Sequence, residues 1–242
     1  MARNIVLTTG EIYHAFNRGV EKRDIFSRDI DKIRFLVVLA LVNSDTGTPL
    51  HVGRIFKNGQ HSELTRAFEM VNRQSKLVDI LAWCLMKNHF HLLLRQVKDN
   101  GISILFHRLQ NSHSHYYNDV YKRSGALFGG PFKAVHIADD VQYVHASRYI
   151  HINPLEFFDP LWKERGYIED KAGAEKFLKE YRWSSLPDYL GKRSDFATFI
   201  DKVPVMEYFE NNADEYWKFI NEWIINDGQH SELTIDDFTY DK

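Results

Sequence analysis

The sequence predicts an α+β fold, in which an antiparallel sheet carries packed helices and is followed by a mainly helical extension. Two patterns lead to this prediction. Short segments in which side chains of opposite character alternate are typical of strands, and longer segments with apolar residues at helical spacing are typical of helices. Apolar residues make up 44% of the 242 residues, so the chain is able to form a sizeable core.

Four segments have the alternation or the apolar character of strands. The first contains Ile12, His14 and Phe16 at alternate positions and ends at Gly19. The second and third are separated only by Lys87-Asn88, a plausible tight turn, and are therefore expected to form an antiparallel hairpin. The four predicted strands are residues 11–18, 77–86, 89–97 and 132–137.

Three longer segments are predicted as helices, over residues 29–43, 101–121 and 139–153. Asp139 or Asp140 can cap the third helix, and Pro154 stops it. The predicted order is strand, helix, strand, strand, helix, strand, helix. Its first six elements match the ferredoxin-like βαββαβ plan, an antiparallel sheet with helices on one face.

The charged residues divide the chain into two parts. Residues 1–154 carry 20 Lys and Arg against 13 Asp and Glu, a net charge of +7, whereas residues 155–242 carry 11 against 20, a net charge of −9. A basic front part and an acidic rear part fit a nucleic-acid-binding domain followed by a helical extension, although two ordinary solvated surfaces would give the same numbers. The polar stretch at about 44–76 is predicted to be an insertion in the first domain.

Helices are also predicted in the extension, most clearly over residues 175–181 and 205–223. No run of about eighteen apolar residues is present, so no membrane span is expected. Cys84 is the single cysteine, which excludes an intrachain disulfide. With an N-terminus that lacks the apolar stretch of a secretory signal, these features predict a cytoplasmic protein.

Two histidines one residue apart lie in the third predicted strand. Side chains alternate between the faces of a strand, so His89 and His91 share one face while Phe90 and Leu92 anchor the other in the core. Two imidazoles placed in this way can bind a single ion. A pair of structural histidines is the competing interpretation.

A tyrosine and an amide lie four residues apart in the third predicted helix. Tyr149 and Asn153 therefore share a helix face, and they could offer a metal ion an oxygen ligand while directing a phenol at the same space. A tyrosine that only packs at a helix end, followed by an asparagine cap, is the competing interpretation. A tyrosine beside a divalent metal is able to act as a nucleophile toward phosphodiesters.

Taken together, these segments resemble the single-tyrosine HUH transposases, and in particular the REP-associated tyrosine transposases. Those proteins usually read Met-Pro-Asn-His-Val-His-Leu-Leu where Met86-Lys87-Asn88-His89-Phe90-His91-Leu92-Leu93 stands here, and Tyr-Ile-His-x-Asn-Pro where Tyr149-Ile150-His151-Ile152-Asn153-Pro154 stands here. Further matching stretches are residues 16–19, 24–26, 127–133, 181–185 and 189–191. The resemblance spans roughly residues 10–191.

The chain departs from the pattern of those proteins at several positions. Lys87 replaces the usual proline of the hairpin, and Gly129 and Pro131 replace a usual glutamine and arginine before the last strand. The lost arginine removes one expected phosphate contact. Residues 192–242 have no match in the pattern.

The resemblance implies an enzyme that cleaves and transfers single-stranded DNA at hairpin or palindromic repeat sequences, as a transposase or a domesticated descendant of one. It implies that Tyr149 forms a 5′-phosphotyrosine link, that His89, His91 and Asn153 hold Mg²⁺ or Mn²⁺, and that the protein works as a monomer or homodimer. The residues expected to contact DNA through phosphates or stacked bases are Arg18, Lys22, Arg23, Arg108, Lys122, Arg123, Phe128, Phe132 and Lys133.

Two other functions remain open from the sequence. A former transposase could bind hairpin DNA as a regulator without cutting it, although the intact set of His89, His91 and Tyr149 favours activity. A metal hydrolase of small substrates is the second, but no carboxylate is placed beside the histidines to act as its general base.

Overall fold

The computed structural model describes residues 5–46 and 75–225. Most of the predicted insertion at 44–76, and the chain beyond 225, lie outside these residues. The four strands are β1 (Ile12–Arg18), β2 (Val78–Leu85), β3 (His89–Gln96) and β4 (Lys133–Ile137). The helices between and after them are α1 (Asp29–Val42), α2 (Gly101–Val120) and α3 (Asp140–Ile152). These seven elements begin and end within one residue of their predicted bounds.

Helices alone follow among the described residues beyond Pro154, as the sequence predicts. They are α4 (Leu155–Phe158), α5 (Trp162–Arg165), α6 (Lys171–Glu180), α7 (Leu186–Tyr189), α8 (Val203–Met206) and α9 (Ala213–Ile225), with short 3-10 turns at Ala197–Phe199 and Glu207–Phe209. The α+β class with a helical C-terminal part is therefore confirmed. In the described ranges, each helix is too short or too polar to cross a membrane.

The predicted single helix at 205–223 is wrong. The chain forms α8, a 3-10 turn and then α9, because Glu210 and Asn211 adopt positive φ angles of 52° and 58° that interrupt a right-handed helix. Helix α6 begins before the predicted residue 175, since the side chain of Asp170 accepts a hydrogen bond from the Gly173 backbone N–H and caps the helix at that point.

The sheet is antiparallel throughout, with the strand order β2-β3-β1-β4. The two central strands, β1 and β3, bring the site residues together. Their register pairs Phe16 with His91 and Arg18 with His89. Residues that are distant in sequence thereby become neighbours on one face of the sheet.

A different hydrophobic core covers each face of the sheet. On one face, α1 and α2 pack against each other and against strand residues that include Phe90 and Leu92. On the other face, α3 and the C-terminal helices pack against Cys84 and Leu93. This division follows from the alternation of side chains along β3.

The segment that follows α6 lies along the outer edge of β2. The Leu85 backbone N–H donates to the Trp183 carbonyl at 2.8 Å, and the Ser185 N–H donates to the Trp83 carbonyl at 2.9 Å. The Tyr189 hydroxyl also donates to the Leu81 carbonyl at 2.6 Å. These bonds satisfy backbone groups that an open strand edge would leave available for pairing with another chain.

Candidate active site

His89 and His91 project from the face of β3 that α3 covers. Their rings meet edge to face, with centroids 5.0 Å apart. His89 Nδ1 lies 2.6 Å from the side-chain oxygen of Asn88, which belongs to the β2–β3 turn. Both imidazoles are buried, so the protein rather than water fixes their orientation.

Tyr149 approaches these histidines from α3. Its ring meets the ring of His91 at a centroid distance of 5.7 Å and an interplanar angle of 89°. The phenol is 5% exposed. The two histidines of β3 and the tyrosine of α3 therefore meet on one side of the sheet. The sequence alone places each of them only on its own element.

His14 on β1 also belongs to this cluster, and the sequence did not identify it as a site residue. Its Nε2 lies 2.9 Å from Nδ1 of His91, and its ring centroid is 5.5 Å from that of Tyr149. The alternation of His14 and Phe16 was visible in the sequence. The register that pairs Phe16 with His91 was not.

One nitrogen of His91 is buried without a hydrogen-bond partner among the described residues, namely Nε2. Burial lowers the pKa of His91 well below its ordinary value, and the nearby charges of His89, His14, Lys163 and Arg18 lower it further. The ring is thus neutral at physiological pH and retains one lone pair. A neutral, buried imidazole with an unpartnered nitrogen has the donor chemistry that divalent metal ions require.

Asn153 lies at the end of α3, where Pro154 follows and cannot supply an N–H to continue the helix. The Asn153 side-chain amide donates to the Tyr149 carbonyl at 2.9 Å. Lys163 of α5 donates to its oxygen, Oδ1, at 3.4 Å. The oxygen expected to bind a metal is therefore already engaged by an ammonium group in this structure.

Across residues 5–46 and 75–225, no group of three or more His, Cys, Asp and Glu side chains is arranged to hold a metal ion. Within the described residues, the further ligands of a metal bound by His89 and His91 would be oxygen atoms of another kind. An amide, water and phosphate oxygens are such ligands, and they suit Mg²⁺ or Mn²⁺. The histidines fit this role, whereas Asn153 would first have to release Lys163.

Three basic side chains surround the cluster. Arg18 is paired in register with His89, Lys133 Nζ lies 5.9 Å from the centre of the Phe16 ring, and Lys163 Nζ lies 5.8 Å from the centre of the Tyr149 ring. Lys163 also forms an ion pair with Glu156. The sequence missed Lys163 because it lies in the extension, where no pattern links it to Tyr149.

The other basic residues expected to bind DNA are distributed more widely. Lys22 and Arg23 lie beside the β2–β3 turn, where the Lys22 carbonyl accepts a hydrogen bond from the Asn88 side chain. Arg108 belongs to α2 on the opposite side of the sheet and donates to the Ser44 carbonyl at 2.6 Å. Lys122 and Arg123 follow the end of α2. Arg108, Lys122 and Arg123 are therefore not part of the Tyr149 cluster.

Phe128 and Phe132 do not form a surface on which bases could stack. They are 8% and 6% exposed and belong to the core beneath α1 and α2. The Phe132 ring stacks on Phe106 at a centroid distance of 3.9 Å, and Phe128 packs against Phe90. Their ring faces are used in packing in this structure, so stacking on DNA would require the rings to leave the core.

The geometry so far defines a class of site in which a tyrosine from a helix meets a pair of strand histidines on an α+β scaffold. Residues 53–153 match the family described as "Transposase IS200 like", and this range contains β2, β3, α2, β4, α3 and both elements of the histidine–tyrosine cluster. Over residues 53–153 the chain is therefore similar to the IS200-like transposases.

No curated protein matches this chain. A solved structure described as "Structure of the REP associates tyrosine transposase bound to a REP hairpin" is similar at a TM-score of 0.47 and 12% identity, covering 81% of this chain and 89% of that chain.

Proposed function

We propose that this protein is a metal-dependent DNA strand-transferase of the single-tyrosine HUH type, of the REP-associated kind, which cuts and rejoins single-stranded DNA at a hairpin or palindromic repeat. The observation that carries the proposal is the contact of the Tyr149 ring with His91, whose Nε2 atom is buried and has no hydrogen-bond partner within residues 5–46 and 75–225. The similarity of residues 53–153 to a transposase family supports the same reaction class.

In the proposed reaction, Tyr149 Oη attacks the phosphorus of a DNA phosphodiester. The new O–P bond gives a 5′-phosphotyrosine, and the bond to the 3′ oxygen breaks. The phenolic proton leaves to solvent, and the departing 3′ oxygen takes up a proton. Because the covalent link retains the energy of the broken bond, a second 3′-hydroxyl can reverse the step on another strand without a nucleotide cofactor.

His89, His91 and, once Lys163 has moved, Asn153 would hold Mg²⁺ or Mn²⁺. That ion would supply positive charge at the scissile phosphate and offset the charge that develops in the transition state. Arg18 and Lys133 on the neighbouring strands would bind flanking phosphates, with an affinity that decreases as salt increases. Because burial lowers the pKa of His91 well below its ordinary value, this ring would stay neutral for that role at physiological pH.

We also infer that the scaffold is ferredoxin-like, because a βαββαβ chain order is combined with the sheet order β2-β3-β1-β4. Residues 1–154 would form the nuclease domain and residues 155–242 an extension that covers it, acting as a cytoplasmic monomer or homodimer. Contacts of α9 and α8 with α3 support a close association of the two parts.

A DNA-capture experiment tests the proposed function. The full-length protein is incubated with a labelled pool of single-stranded hairpins and Mn²⁺, then denatured. We expect a protein–DNA adduct that survives denaturation, maps to Tyr149 by mass spectrometry and disappears with a chelator. Hairpin binding with no adduct in any divalent metal would contradict the proposal and identify the inactive regulator instead.

Lys163 gives a second prediction. Its ammonium already contacts Asn153 Oδ1 and lies near the Tyr149 ring, so we propose that it contacts the scissile phosphate when DNA is bound. Hydrogen bonds to charged groups contribute about 1.5–3 kcal/mol. Lys163→Met should therefore reduce the single-turnover cleavage rate by roughly 10- to 100-fold, and Lys163→Arg should restore part of it.

Lys179→Met is the matched control, because Lys179 lies over the Trp217 ring and pairs with Glu175, neither of which belongs to the Tyr149 cluster. Its cleavage rate should equal that of the wild type. Equal rates for Lys163→Met and the wild type would remove Lys163 from the reaction.

A further inference from the structure

His14 and His91 are joined by a direct contact between ring nitrogens. Nε2 of His14 lies 2.9 Å from Nδ1 of His91, and the two rings are nearly parallel, with centroids 5.0 Å apart and an interplanar angle of 19°. Both side chains are buried, at 0% and 3% exposed. Bulk water therefore does not replace this hydrogen bond.

A hydrogen bond between two neutral imidazoles has two possible directions, and each fixes the tautomer of both rings. If His14 donates, the single proton of His91 must be on Nε2, where no acceptor is available among the described residues. A buried donor without a partner costs about 1–3 kcal/mol. A protonated Nε2 would also have no lone pair for a metal ion.

If His91 donates from Nδ1, its proton is satisfied by His14 and its Nε2 carries the lone pair. Metal-binding histidines usually donate their other ring N–H to a carboxylate, a backbone carbonyl or water, which fixes the tautomer and the ring orientation. His14 stands in that place here. Its own ring is held by Phe16 and Tyr149, at centroid distances of 5.1 and 5.5 Å.

We propose that His14 is a positioning residue that accepts a hydrogen bond from His91 Nδ1 and thereby presents His91 Nε2 to a divalent metal ion. This inference rests on the proposed function, because it assigns a purpose to the same site. It adds a residue of β1 to a set of metal-binding residues that otherwise come from β3 and the end of α3. Strand β1 would thus take part in metal binding without touching the ion.

Metal affinity provides the first test. Mn²⁺ binding to the full-length protein without DNA is measured by calorimetry or by electron paramagnetic resonance. His14→Leu should weaken Mn²⁺ binding by about 10- to 100-fold, the range found when such supporting partners are removed. His14→Gln, which retains a side-chain acceptor, should recover part of the loss.

His113→Leu is the matched control. His113 is also completely buried, and its Nε2 bonds to the Ile25 carbonyl in the core on the other face of the sheet. Its replacement removes a buried imidazole without altering the Tyr149 cluster, so Mn²⁺ affinity should stay at the wild-type value. Equal affinity in the wild type and His14→Leu would overturn the role of His14 and leave the proposed reaction standing.

The tautomer itself provides a test that needs no variant to fold. Nitrogen-15 NMR of the wild-type protein should show the proton of His91 on Nδ1. A proton on Nε2 would overturn the inference. A wild-type protein that binds no Mn²⁺ would instead overturn the metal site of the proposed function, and the inference with it, so the two failures are distinguishable.

Discussion

Tyr149→Phe is expected to abolish the covalent DNA adduct completely. Phenylalanine keeps the ring that packs against His91 and His14 but lacks the oxygen that would become bonded to phosphorus. The histidines and the basic residues around them are unchanged, so hairpin affinity should remain close to that of the wild type. Adduct yield on denaturing gels and hairpin affinity by fluorescence anisotropy measure the two quantities separately.

The three tyrosines at the end of α2 are not placed to take over the reaction. Tyr116 and Tyr121 donate their hydroxyls to Asp31 at 2.8 and 2.6 Å, and Tyr117 bonds to Ser27 at 2.7 Å. All of these contacts lie around α1 and α2, on the far face of the sheet. An adduct that persists in Tyr149→Phe would therefore refute the assignment of Tyr149 as the nucleophile.

Tyr143→Phe is the control for this experiment. Tyr143 lies in the same helix and is as buried as Tyr149, at 4% against 5% exposed. Burial raises the pKa of its phenol, and its hydroxyl has no hydrogen-bond partner among the described residues. Loss of that hydroxyl should leave the adduct yield unchanged, which separates the chemistry of Tyr149 from a general disturbance of α3.

The elements of the first part of the chain could be predicted from the sequence because their signals are local. Alternation along β3 placed His89 and His91 on one face, and the spacing of Tyr149 and Asn153 placed both on one helix face. Asp139 caps α3 as expected, accepting a hydrogen bond from the Gln142 N–H at 2.8 Å. Such periodicities and caps depend only on neighbouring residues.

Tertiary features could not be predicted in the same way. The role of His14 depends on the register between β1 and β3, and the approach of Lys163 depends on how α5 packs beside α3. Phe128 and Phe132 present the same difficulty, because the sequence does not distinguish an aromatic residue of a DNA-binding surface from one that packs in the core. Only the packing of Phe106 against Phe132 decides between the two.

Tyr216→Ala is expected to destabilise the protein by about 3–5 kcal/mol, the usual cost of truncating a large buried ring. Tyr216 on α9 is completely buried. Its hydroxyl lies 2.7 Å from His151 Nδ1 and 3.0 Å from Ser147 Oγ. These two residues flank Tyr149 on α3, so one side chain of the extension supports the helix that carries the proposed nucleophile.

The variant Tyr216→Phe separates the contribution of the ring to stability from the contribution of the hydroxyl. Burial lowers the pKa of His151 to about 3, so the ring is neutral, and its other nitrogen, Nε2, lies 2.7 Å from Ser185 Oγ. Tyr216→Phe keeps the ring but deprives His151 and Ser147 of a partner. Leaving buried polar groups unsatisfied should cost about 1–3 kcal/mol, less than the alanine substitution.

Urea denaturation measures these differences, with Tyr167→Ala as the control because Tyr167 is 45% exposed and should change stability by no more than about 0.5 kcal/mol. Adduct formation is then compared where every variant remains folded. We expect Tyr216→Ala to react more slowly, since α3 loses support on both sides of Tyr149. If Tyr216→Ala were as stable as Tyr167→Ala, the extension would not be needed to hold Tyr149 in place. A decrease of several kcal/mol in the free energy of unfolding would instead make the extension part of the scaffold that holds Tyr149 against the histidines.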